Sequence, residues 1–340
     1  MRAAVMRSIG APLSIEEVPR PEIGPDEVLV ETRTSGICGT DLHILSGHGY
    51  VPALPHILGH EPAGVVAEVG SRVAGLKAGD RVVPHLFFSC DRCYFCRAGR
   101  HQQCTNLKGI LGVLCAGAFA DYFKVPAANL FVLPRNVPFD LGGLIADAVV
   151  TALHASRRAS LKLGDSALVL GAGGVGQNLI QILSVAGINV VAVDRSPEKL
   201  NLARKMGALL TFKLDDFQAC LETLDASLPD GLRCAFNCVG TGESLRLCAD
   251  FVMQGGRIVI IGEEREPLSI NTTEIAQKEL EIIGSRNGTR QDMVDAIRLL
   301  EAGVVKPYVA GRYALEEINE AIRQMQNNPV GRLIVVMKEE

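Results

Sequence analysis

Four cysteines, Cys90, Cys93, Cys96 and Cys104, stand in the pattern C-x2-C-x2-C-x7-C. Four thiolates at that spacing close a tetrahedron around zinc, because the short turns direct sulfurs inward and the longer loop returns the fourth. The loop is built from Asp, Arg, Tyr and Gly and offers no apolar setting for inert thiols. A site closed by four protein ligands leaves no position for substrate, so it holds a lobe together rather than performing chemistry. A redox dithiol would leave Cys96 and Cys104 without a purpose. Upstream, Cys38 and His60 are candidate ligands of a second metal and His43 a candidate proton carrier, although by type alone each serves equally well as a structural residue.

A second pattern, SALVLGAGGVGQNLIQIL, places Gly171, Gly173 and Gly176 as G-x-G-x-x-G after a strand and at the opening of a helix, with Gly174 and Val175 inside the loop. The first glycine permits the tight turn, the second lets a pyrophosphate approach the backbone, and the third lets helix and strand pack closely. The helix N-terminus supplies amides and a positive dipole end to the phosphates. The next strand ends at Asp194, where a carboxylate accepts ribose hydroxyl hydrogens and repels a 2′-phosphate, which favours NAD over NADP. Arg195 is the competing signal, since a guanidinium pairs with phosphate; we read it as solvated or stacked on adenine.

The elements that must carry these residues differ along the chain. From Met1 to about Phe131, short runs such as EVLVETRTSGI and AGVVAEVGS are broken by Gly and Pro, the texture of a β-rich barrel. From about Ser166, apolar runs (Ala167 to Leu170, Val190 to Val193, Cys234 to Val239, Ile258 to Ile261) alternate with helical stretches (Gln177 to Ala186, Pro197 to Met206), which predicts βαβ units and a parallel sheet. Ser196 as N-cap, Pro197 at the first helical position and Gly207 at the stop delimit one helix. The boundary falls near Val150 to Gly164. Ala314 to Gln326 reads as a helix and Gly331 to Met337 as a strand returning to the first domain.

Composition excludes several classes. The 340 residues are 48% apolar and 21% charged, with a formal net charge of −4, so the chain is globular and lacks the basic excess of a nucleic-acid surface. No uninterrupted apolar stretch approaches the roughly 20 residues of a membrane span, and MRAAVMRSIG contains no signal-peptide core. A cytoplasmic protein is expected, in which the ten cysteines are not a disulfide framework.

Together, GICGTDLH at 36 to 43, GHEPAGVV at 59 to 66, the four-cysteine lobe, GAFADYFKVP at 117 to 126, GAGGVG at 171 to 176 and IIGSRNGTRQD at 282 to 292 resemble the zinc-containing medium-chain alcohol dehydrogenases over essentially the whole chain. The resemblance implies an α/β protein: a GroES-like β-rich catalytic domain (1–150, completed by about 300–340) and a Rossmann doubly wound domain (151–299). It implies two zinc ions per chain and NAD, a small alcohol or carbonyl substrate, and a homotetramer. Cys38 and His60 match the first catalytic zinc ligands, and Glu61 the carboxylate behind the metal that transiently coordinates it. Thr40 matches the hydroxyl that takes the alcohol proton, His43 the outer end of the relay, and Arg332 a basic residue near the cofactor pyrophosphate, the plainer reading being a solvated strand-edge arginine. The family's third ligand is often a cysteine; LIADAVVTALHA has Asp147 there, as other members do. Cys38 thiolate and Asp147 carboxylate balance a zinc dication, His60 being neutral; the alternative makes Glu61 the third ligand and Asp147 a supporting acceptor or helix cap.

The family positions that line a substrate pocket are His85, Leu86, Phe87, Phe88, Leu111 and Asn287, mainly apolar, which favours simple alcohols over polyols. His48 and Tyr50 are candidate entrance residues, more plainly surface ones. Polyol or threonine dehydrogenation, a zinc-free NADP-dependent reductase, and a zinc-ribbon binding protein are the competing readings. Cys115, Cys220, Cys234, Cys238 and Cys248 carry no proposal beyond packing.

Overall fold

The structure is a computed structural model and describes residues 1–216, 222–224, 226–228, 230–265, 267 and 270–338; Cys220 lies outside them. The chain forms two compact units, Met1–Val150 with Gly288–Glu340, and Thr151–Asn287.

In the first unit a seven-stranded sheet is built around the long strand Glu27–Ile37. On one side it pairs antiparallel with Glu61–Val69; on the other it pairs with Tyr122–Pro126 along its first half and with Arg332–Val336 along its second. Its burial pattern is nearly continuous because both faces are covered, with Val28, Leu29, Val30 and Ile37 at most 1% exposed. The register matters for function. Gly36 lies opposite Glu61, and Ile37 opposite Leu333, so the chain ends carrying Cys38, His60 and Arg332 converge at one end of this strand. Gly36 is required there, since a Cβ on it would lie 2.1 Å from the Glu61 Oε2.

The helix Arg290–Glu301 belongs to this first unit, where the sequence reading left it in the second domain. Its apolar stripe Met293, Ala296, Ile297 and Leu300 recurs at helical spacing and is buried, and the helix packs against the segment Ile145–Val149. That segment is itself a π-helical interruption between Phe139–Leu144 and Val150–Ala159. Among the described residues, Phe139–Ala159 is the helical run long and apolar enough to span a membrane by length and composition, and 72% of its apolar window is buried inside the protein.

The second unit is a six-stranded parallel sheet of Ser166–Leu170, Asn189–Asp194, Leu210–Lys213, Leu232–Asn237, Val252–Ile260 and Glu281–Gly284. In space these run third, second, first, fourth, fifth, sixth, the doubly wound order with its reversal between the first and fourth strands. The first strand, SALVL, is buried at every position, as a strand covered on both faces must be. The helix Pro197–Lys205 has the expected start: the Ser196 hydroxyl accepts from the Lys199 N–H.

Candidate active site and cofactor site

Cys38 ends the long strand and caps the helix Gly39–Leu45. Its N–H donates to Asp41 Oδ2 at 2.9 Å, and the other oxygen of the same carboxylate lies 3.3 Å from His60 Nδ1. Asp41 is fully buried and thus fixes both the backbone of one ligand candidate and the ring of another, leaving His60 Nε2 to point at a metal. His60 Nε2 is 3.9 Å from Asp147 Oδ2, and that oxygen is 3.5 Å from Cys38 Sγ. Cys38, His60, Glu61 and Asp147 each offer a donor atom within 4.8 Å of the others. Sulfur, imidazole nitrogen and carboxylate oxygen at these separations match the edges of a zinc tetrahedron, about 3.3–3.8 Å for ordinary zinc–ligand bonds. The donor set fits zinc and leaves a fourth position when three of the four ligate.

The carboxylates are balanced from behind. Arg332 Nη2 is 2.7 Å from Glu61 Oε1 and 3.3 Å from Asp147 Oδ2, and the arginine is 4% exposed. The resemblance places Arg332 near the cofactor pyrophosphate, the plainer reading being a solvated strand edge; the structure overturns the plainer reading, since the guanidinium is buried among the carboxylates of the metal cluster. Burial raises the Glu61 carboxyl well above the usual carboxylate range, with the Arg332 charge opposing and the Cys38 and Asp147 charges adding to it. Burial alone would lower His60, but the Asp41 carboxylate and Cys38 together outweigh it and hold the imidazole well above its ordinary value. Thr40 and His43 lie three residues apart on the same short helix, so they share a face; Thr40 Oγ1 is 3.8 Å from Cys38 Sγ.

The four-cysteine lobe is gathered by the short helix Tyr94–Arg97 and the turn after it. Cys93 Sγ lies 3.5 Å from Cys96 Sγ and 3.9 Å from Cys104 Sγ, against about 3.8 Å for a zinc–sulfur tetrahedron. Backbone N–H groups of Cys96 and Thr105 hold Cys93 down to about 6, and those of Cys90 and Asn106 donate to Cys104 Sγ at 3.3 and 3.4 Å. Amides aimed at sulfur stabilise thiolate, the form a metal binds. Arg290 anchors the lobe to the helix it begins, through Asp91 Oδ1 at 3.1 Å and the Ser89 hydroxyl at 3.3 Å.

In the second unit, Gly171 has φ +95° and a Cβ on Gly176 would lie 2.0 Å from the Gly171 carbonyl oxygen, so the loop folds tightly against its own helix Gly174–Val185. At Gly173, the helix N-cap, a Cβ would meet nothing within 4 Å. That open approach to the helix N-terminus is the space a pyrophosphate takes. Asp194 braces the loop, its Oδ2 accepting from the Ala172 N–H at 2.8 Å. These features fit a dinucleotide.

Residues 24–135 match the family described as alcohol dehydrogenase GroES-like domain, and residues 174–302 the one described as zinc-binding dehydrogenase. An alcohol dehydrogenase of Geobacillus stearothermophilus is 33% identical over 348 aligned positions, covering 100% of both chains. The chain belongs to the zinc-containing medium-chain alcohol dehydrogenase family. Within that family, an L-threonine 3-dehydrogenase of Streptomyces avermitilis is 34% identical, covering 98% of this chain and 99% of its own. A solved NAD-dependent alcohol dehydrogenase has a TM-score of 0.92 at 29% identity, covering 99% of this chain and 100% of its own.

One residue of this alcohol dehydrogenase site, Asp41, had no functional signal in the sequence, and for Arg332 the resemblance implied a cofactor role but not its pairing with Glu61 and Asp147. Of the pocket candidates, His85, Leu86, Phe87, Phe88 and Leu111 are all at most 9% exposed and Asn287 is 6% exposed, so they pack within the fold. His48 is tied to its own turn, with Nδ1 2.9 Å from the Ser46 hydroxyl. Burial raises the thiols of Cys115, Cys234 and Cys238 to about 12 and raises Cys248 as well, which keeps them protonated and unreactive.

Proposed function

We propose that this protein is a zinc- and NAD-dependent alcohol dehydrogenase that interconverts a small primary or secondary alcohol with its aldehyde or ketone. The observation that carries it is the Cys38–His60–Asp147 donor set, backed by Glu61 and Arg332, in a chain that also has a dinucleotide loop. Cys38, His60 and Asp147 would hold a zinc ion, which would supply Lewis acidity to a carbinol hydroxyl, and a bound NAD would supply the hydride acceptor. Thr40 takes the hydroxyl proton and His43, on the same helix face, carries it towards solvent. Asp41 keeps the His60 ring oriented, and Arg332 offsets the negative charge that Glu61 and Asp147 bring to a buried site. Cys90, Cys93, Cys96 and Cys104 hold the second zinc, which keeps its lobe folded.

Self-association into a tetramer is supported by the edge strand Glu281–Gly284, which among the described residues is paired on one side only and whose Ile282 is 39% exposed. That all nine described cysteines are free supports a reducing compartment, the cytoplasm. The test is a dehydrogenase assay over primary, secondary and aromatic alcohols, L-threonine and polyols with both nicotinamide cofactors, paired with zinc analysis. About two zinc per chain are expected. Cys38→Ala should remove one of them and abolish alcohol oxidation while NADH still binds; turnover retained in that variant defeats the mechanism.

A further inference from the structure

At the end of the second strand of the parallel sheet, both oxygens of Asp194 are already engaged by backbone, Oδ2 by the Ala172 N–H at 2.8 Å and Oδ1 by the Ser196 N–H at 2.9 Å. The cations around it are engaged too. Arg195 Nη2 is 3.6 Å from Glu243 Oε2. Lys213, the register partner of Asp194 on the third strand, has its ammonium 3.0 Å from Asp215 Oδ2, and Lys199 is 2% exposed.

The Arg195–Glu243 pair has an unusual path. Arg195 follows the second strand, whereas Glu243 lies in the first turn of the helix Gly242–Phe251 after the fourth. The first strand, with its glycine loop, runs between those two strands in the sheet. The pair therefore links the ends of the two strands that flank the Gly171–Gly176 loop. A 2′-phosphate on an adenosine ribose held at Asp194 would meet that carboxylate, with the adjacent Arg195 already paired to Glu243.

We propose that Glu243 is a second determinant of NAD over NADP: by holding Arg195 it withholds the fork-shaped donor that would otherwise grip a 2′-phosphate. This rests on the dinucleotide reading above and adds to it a residue 49 positions beyond the ribose carboxylate in sequence. With side chains 73% and 72% exposed, the pair opens at little cost, so the expected effect is that of the guanidinium it releases. A freed guanidinium about 6 Å from a phosphate dianion in water is worth roughly a tenfold change in binding before screening, and about threefold after it.

The experiment measures dissociation constants of NADH and NADPH by nicotinamide fluorescence for the unmutated protein, Glu243→Gln, Arg195→Leu and the double variant. In Glu243→Gln the NADPH-to-NADH ratio of dissociation constants should fall about 3- to 10-fold, less at high salt, and the double variant should lose that gain. An unchanged ratio overturns the proposal, as does an equal gain in the Arg195→Leu background, which would make Glu243 a diffuse charge rather than a hold on Arg195. Unmutated protein that binds NADPH more tightly than NADH overturns the NAD preference and this inference while leaving the dinucleotide site standing. Binding of neither nucleotide removes the dinucleotide reading and the inference with it. Matching thermal unfolding midpoints show that all four proteins are folded.

Discussion

Cys38 and Asp147 are 109 positions apart in the chain and 3.5 Å apart in the fold, and the residue that orients their surroundings is not itself among the metal's donors. Asp41 uses one oxygen on the Cys38 N–H and turns the other to His60. Asp41→Asn removes the charge that stabilises the imidazole and offers an amide where an acceptor is needed. We expect retention of the catalytic zinc to weaken about 10- to 100-fold with the four-cysteine zinc unaffected, measured by competition with a chelator. Equal loss of both metals would show a general unfolding instead. The four-cysteine lobe was readable directly from its spacing, whereas Cys38, His60 and Arg332 were single residues given roles by the family resemblance. Asp41 was not readable, because an acid in a helix first turn has ordinary structural uses everywhere.

Asp147 owes its direction to a local departure from α-helix. It sits in the π-helical stretch Ile145–Val149, where the five-residue step rotates side chains off the three-and-four spacing that sequence patterns assume. Counting helical positions therefore identifies the aspartate but not the face it occupies; only the resemblance to a family pointed to it. The glycine loop is the opposite case, because each glycine carries its own mechanical reason. Gly176→Ala places a methyl about 2.0 Å from the Gly171 carbonyl oxygen and should lower the thermal midpoint together with NADH binding. Gly173→Ala meets no protein atom within 4 Å, so it should leave the midpoint unchanged and still weaken NADH binding, since the methyl enters the space for phosphate. A Gly173→Ala protein that binds NADH normally would place the pyrophosphate elsewhere. The strand runs of the parallel sheet were readable from their apolar texture, whereas the membership of Arg290–Glu301 was not, because an amphipathic stripe says that a helix packs but not against what.

Ties between distant parts of the chain determine how the first unit responds to acid. His85 is fully buried, with Nε2 2.9 Å from the carbonyl oxygen of Gly288, a contact spanning 203 positions. Burial holds its imidazole neutral, down to about 4, against about 6.5 in an unfolded chain. Between those values the unfolded chain binds more protons than the folded one, so stability is full above pH 6.5 and falls as pH drops towards 4, by up to about 3 kcal/mol. His85→Gln keeps an N–H donor for Gly288 and removes the titration; its denaturant midpoint should depend less on pH between 4 and 6.5 than that of the unmutated protein. The same steepness in both would assign the acid limb to other groups.

The strand Arg332–Val336 completes the sheet beside Glu27–Ile37 and brings Arg332 to Glu61 and Asp147. During synthesis these residues leave the ribosome only after the whole of Thr151–Asn287 has been made. Until then Glu61 and Asp147 have no guanidinium to offset them, and the long central strand has an open edge where its last partner belongs. The metal-binding half of the enzyme is thus begun first and finished last, so the charge balance around Glu61 and Asp147 and the closure of the sheet both wait on the chain's last strand.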